Sequence, residues 1–182
     1  MKNEQCTNSK DEYLMLRDEI LHLDLLVNNT INFFYVFVSA VLLYSLKEKN
    51  VVSMLISYIV IIPAYIIAMD KTKNMYKIGA YLRVFHEGNE FNWETRNAKL
   101  YQDPKFAKLS KMSAFNLPFL FVSSFVTILF MARIDWNSVG ETIEFLKVVI
   151  AIILYSVQLI LIIKNGRIKY FDYVEFWEKQ KN

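Results

Sequence analysis

The densest group of chemistry-bearing side chains lies at residues 78–97, IGAYLRVFHEGNEFNWETRN, which brings His86, Glu87, Glu90, Trp93, Glu94 and Arg96 close together. His86-Glu87 with Glu90 writes a His-Glu-x-x-Glu pattern. A zinc-protease helix needs a histidine at both ends of that spacing, so that two imidazoles share one face. Here Glu90 stands in the second position, Gly88 interrupts the helix, and the only other histidine is His22. The stretch therefore predicts no metal site and no cofactor. Buried aromatics and Arg are the usual anchors of recognition surfaces. On that ground His86, Glu87, Trp93, Glu94 and Arg96 are the candidate partner-binding residues. The plainer alternative is an aromatic-rich helical corner held by local ion pairs.

Other chemistry finds little support. Ser123-Ser124 has no His or acid nearby in sequence, and the four glycines are too scattered to build a phosphate loop. The chain is not expected to be an enzyme. Net charge is only +3, and its basic stretches are interrupted by acids, which lacks the dense Lys/Arg patch of a nucleic-acid binder. Cys6 is the single cysteine, so no intramolecular disulfide forms, which fits a reducing compartment. Residues 1–12 are polar and acidic, unlike a cleavable signal peptide. Cys6 follows no apolar region, so a lipoprotein anchor is not expected either.

The elements that must position these residues are set by four apolar stretches, 30–46, 51–69, 112–132 and 148–163. None contains Asp, Glu, Lys, Arg or His. About 20 apolar residues suffice to cross the hydrocarbon core as a helix. The expected fold is all-α: four transmembrane helices in two antiparallel hairpins, with cytoplasmic helical extensions. Loop charges orient it. The side holding both termini and the 70–111 connector carries 17 Lys and Arg. The other side carries four: Lys47, Lys49, Arg133 and Lys147. Basic residues accumulate on the cytoplasmic side, which predicts an inner-membrane protein with both termini inside. Trp136 suits the outer interface.

Before the first span, Tyr13, Leu16, Ile20, Leu23 and Val27 recur at helical spacing. The phase runs unbroken into the span and predicts one long helix, with a polar hinge at Asn28-Asn29. The turn at 47–50 is too short for anything but a hairpin. Pro63 and Pro118 are expected to kink the second and third helices, which neighbouring helices can accommodate. Beyond Met69 the phase persists through Met75, Ile78, Leu82 and Phe85, so the second helix should project past the membrane and end at Gly88. Asn92 is a candidate cap for a short helix at 93–101, and Asp103-Pro104 a restart signal. The tail alternates charges with Tyr170, Phe171, Tyr173, Phe176 and Trp177. It is expected to pack on the extension of helix two.

The domain reading is 1–29, an amphipathic cytoplasmic helix; 30–69, the first hairpin; 70–111, the connector; 112–163, the second hairpin; and 164–182, an aromatic amphipathic tail. Transporters usually place ionisable groups inside the bilayer; these spans offer only neutral polar groups. Asn32, Asn116, Ser124 and Gln158 are the candidates for interhelical packing or a pore lining, Gln158 foremost.

TINFFYVFVSAVLLYSL, IPAYIIA and KIGAYLRVFHEGNEFNWETRN resemble uncharacterised small bacterial membrane proteins that share a long N-terminal helix and a Trp-Glu-x-Arg-Asn block. The resemblance covers residues 13–97 and transfers no catalytic residues. The helical-hairpin layout is also broadly similar to membrane effectors of bacterial anti-phage defence, which implies oligomers that perturb the inner membrane. The expected function is therefore a non-enzymatic membrane protein acting by self-assembly, with the bilayer and further copies of itself as partners. The alternative is a membrane anchor that docks a soluble cytoplasmic protein through residues 78–97 and the tail.

Overall fold

The computed structural model describes residues 2–48, 51–86, 95–96, 99, 116–137, 142–165 and 170–181, and among them the chain is helical with no strand. Five helices carry the fold: α1 (Lys2–Lys47), α2 (Val51–Tyr81), α3 (Asn116–Arg133), α4 (Thr142–Asn165) and α5 (Tyr170–Lys181). α1 to α4 are long and apolar enough to cross a membrane, which makes this a multi-pass membrane protein.

α1 passes through Asn28 and Asn29 without a break. There the Asn28 side-chain amide donates to Asp24 one turn back (3.4 Å). α2 is likewise continuous through Pro63. It ends in a π-helical turn at Leu82–His86, a wider winding that residue types alone do not announce. α4 starts at Thr142, six residues before the apolar stretch. The Lys147 ammonium donates to Glu144 one turn earlier, so the charged first turns close on themselves. Pro118 is the third residue of α3 as described.

The chain divides into two compact units. One comprises Met1–Asn29, Ala68–Met112 and Ile168–Asn182; the other comprises Thr30–Ile67 and Ser113–Arg167. We call them the polar unit and the spanning unit.

In the spanning unit α2 is the central helix. Half of its most apolar window is buried, against 11% for α4. Phe34, Ile61, Phe119, Val126 and Phe130 are fully buried, and Phe119 stacks on Phe34 at 4.7 Å and meets Tyr65 edge-on at 5.3 Å. Such aromatic pairs add specificity beyond simple packing. Val36, Ile59, Phe121 and Ile128 face outward, as expected where lipid is the solvent.

In the polar unit α5 lies on the extension of α2. Tyr170, Val174 and Trp177 recur at i, i+4 and i+7 and pack on Ala80 and Val84, the stripe an amphipathic helix presents to a core. Gly79 and Ala80 are buried small residues, and the Tyr170 hydroxyl reaches the Gly79 carbonyl directly (3.3 Å). Trp177 Nε1 donates to the Lys77 carbonyl (3.2 Å). Lys181 Nζ donates to the Val84 carbonyl (2.5 Å).

Candidate functional site

The π-helical turn places His86 inside the polar unit. Its side chain is only 6% exposed, and Nε2 lies 3.5 Å from a Glu12 carboxylate oxygen. The other carboxylate oxygen accepts a hydrogen bond from the Tyr81 hydroxyl (3.1 Å). Tyr13 and Tyr81 flank the imidazole at 6.3 and 5.6 Å between ring centres. Burial, and then the hydrogen bond and negative charge of Glu12, push the Tyr81 phenol above its ordinary pKa. His86 thus joins α1 to the end of α2 through Glu12, a residue that sequence reasoning passed over because it lies off the apolar stripe.

Of the other candidate recognition residues, Arg96 is helical and exposed. Glu87, Trp93 and Glu94 lie outside the described residues, as do Gly88, the Asn92 cap and the Asp103-Pro104 restart. Among the described residues no group of His, Cys, Asp and Glu is arranged to hold a metal.

Beside α5 a groove of about 490 Å³ is lined by Lys77, Asp172, Tyr173, Phe176 and Trp177. Burial, then the charge of Asp172, raise the Tyr173 pKa. Nearby, the Arg83 guanidinium lies 5.7 Å from the centre of the Phe171 ring, a cation–π contact.

α1 shows a second feature that the sequence reading missed. Tyr13, Leu23 and Val27 are buried, as the stripe predicted. Leu14, Leu21 and Leu25, at i, i+7 and i+11, are 49–60% exposed, with Met15 beside them at 70%. Within the polar unit α1 is therefore apolar on two opposite faces, and only one of them is covered.

The spanning unit holds its polar groups in two hydrogen-bonded levels. At one level the Tyr65 hydroxyl donates toward Asn116 Oδ1 (3.2 Å) and the Leu161 carbonyl (3.4 Å). At the other the Tyr58 hydroxyl donates to the Ser123 carbonyl (2.9 Å) and lies 2.6 Å from the Thr127 hydroxyl; Ser124 pairs with Tyr155 at 3.0 Å. A third pair, Ser53 to Ser45 (2.6 Å), links α2 to α1. Bonds of this kind join helices where water is absent.

The four intramembrane candidates therefore separate. Asn116 and Ser124 are bonded between helices. Asn32 is exposed on α1. Gln158 is fully buried, and neither atom of its carboxamide finds a partner among the described residues. Ser57, one of the neutral polar residues that these spans offer, is also fully buried with its hydroxyl unpartnered among the described residues. Pro63 lies on the exposed side of α2.

These features must carry the reading by themselves: no protein-family model matches the chain, and no curated protein or solved structure matches it significantly.

Proposed function

We propose that this is a non-enzymatic multi-pass membrane protein that acts by self-assembly, with α1 of one copy against α1 of another. The observation that carries this reading is the uncovered stripe Leu14, Leu21 and Leu25. It belongs to the polar unit and precedes the uncharged apolar stretch that begins at residue 30. Its spacing of seven and four is the seam spacing of helix pairs. A second copy offers the same stripe, and a two-fold interface uses one patch on both partners. The charge asymmetry of the loops, 17 against four, supports an inner membrane with both termini cytoplasmic. Opening of the bilayer by the assembly, as in a defence effector, is the output we assign.

The test is cross-linking of a Leu21→Cys variant in a Cys6→Ser background, in isolated native membranes treated with copper phenanthroline as the oxidant. The reading expects a disulfide-linked dimer, and loss of it when Leu14 and Leu25 are changed to Glu. Purified protein in lipid vesicles should then release a trapped dye, and the Glu variant should release much less. No cross-link at any position along the stripe removes the reading.

A second reading, a membrane anchor for a soluble partner, is favoured by the aromatic groove at Tyr173, Phe176 and Trp177. Under it, Phe176→Ala releases a stoichiometric partner and leaves the α1 cross-link untouched.

A further inference from the structure

The two bonded levels of the spanning unit fix the register of its helices. Tyr65, Asn116 and Leu161 share one level; Tyr58, Ser123, Ser124 and Tyr155 share the other. Gln158 falls three residues from Tyr155 and three from Leu161. At 1.5 Å per residue it is about 4.5 Å along the axis from either level. Ser57 adjoins Tyr58 in sequence and so belongs to the second level. The two fully buried, unpartnered polar groups of this unit are thus close in depth, one on α2 and one on α4.

Their neighbours set the standard of comparison. The buried hydroxyls of Tyr58, Tyr65 and Ser45 and the Asn116 amide all find protein partners. Packing alone explains those residues and does not explain Gln158. A carboxamide brings donors and an acceptor, and an apolar surrounding satisfies neither. Exchanging its oxygen and nitrogen changes nothing, because both atoms are unpartnered.

We propose that Gln158 and Ser57 form an internal binding site for water within the spanning unit. The chemistry selects that guest. It must be small, neutral, and both donor and acceptor, since no charged group accompanies it in these spans. Buried waters typically make about three hydrogen bonds to otherwise unsatisfied groups; a bridge from the carboxamide to the Ser57 hydroxyl supplies two or three. This site does not depend on self-assembly, because both residues are buried within one chain.

The experiment is solid-state NMR of the full chain in lipid bilayers, with the glutamine side-chain amides labelled and Gln158 assigned by its loss in Gln158→Met. The expected result is a water-to-amide magnetisation transfer at Gln158 that falls several-fold in Ser57→Ala, while the resonances of Tyr58 and Thr127 stay in place. Absence of transfer in the parent protein overturns the site. Transfer that Ser57→Ala leaves unchanged overturns the pairing of the two residues. If Ser57→Ala disturbs the Tyr58 resonances, Ser57→Cys, which keeps the volume closer and weakens the hydrogen bond, supplies the same readout.

Discussion

Tyrosine is used in both units, and the partners it takes are different. In the spanning unit Tyr58 and Tyr65 donate to carbonyl and amide oxygens, and the bonds seen between helices among the described residues join neutral groups. In the polar unit Tyr81 donates to a carboxylate that also faces His86, and a lysine and a tryptophan indole reach for backbone carbonyls. The contrast follows from the solvent. In hydrocarbon an ionised group is costly and a neutral hydrogen bond has no water to compete with it. In water charged heads stay hydrated while their aromatic neighbours collapse. The same helices, α1 and α2, meet both conditions along their length.

The comparison can be broken most sharply by equal truncations. Leu82 and Ile61 are both fully buried, one in each unit. Leu82→Ala should destabilise the polar unit by about 3 kcal/mol, from lost hydrophobic transfer plus a cavity. Ile61→Ala should cost the spanning unit roughly half as much, because lipid tails are as apolar as the core and only packing is lost. Hydrogen exchange of each unit in bilayers reads the two values; equal costs would erase the distinction.

A smaller effect is expected from Tyr58→Phe, about 1 kcal/mol, within the range for interhelical hydrogen bonds in membranes. Thermal unfolding at low and high salt should show the same loss at both, since no charge is involved. Glu12→Gln should do the opposite. It removes the partner of His86 and costs about 0.5 kcal/mol when His86 carries its proton, a loss that added salt should shrink.

The smallest effect is a pH dependence confined to the polar unit. The folded pKa of Tyr81 is raised above its ordinary value of 10.0. The associated stability is fully present below that ordinary value and is lost as pH climbs through the raised one. Phenolate absorbance followed with exchange of the α1 amides should show loosening only at alkaline pH, and Tyr81→Phe should remove that step.

Much of this architecture was legible in the sequence. Uninterrupted apolar runs have one economical fate in a bilayer, so the four spans and the continuation of α1 and α2 beyond them could be read directly. The seating of α5 on α2 was expected from a tail that alternates charges with Tyr170, Phe171, Tyr173, Phe176 and Trp177. The rest was not legible for specific reasons. The π-helical turn uses ordinary residues, so nothing marked the rotation that brings His86 to Glu12. The exposed stripe at Leu14, Leu21 and Leu25 was hidden by α1 being apolar on both faces. Gln158 stood out as the one mid-span carboxamide, but only the structure separates it from Asn116, which is bonded, and Asn32, which is exposed.

The central claim is that copies of this chain pair through α1. Native mass measurement of the intact protein extracted in mild detergent tests it most directly. The account predicts a fixed multiple of 21.5 kDa that falls to the single-chain mass when Leu21 and Leu25 are changed to Glu. A parent protein that stays at the single-chain mass across concentration, or that carries one stoichiometric foreign protein, would contradict it.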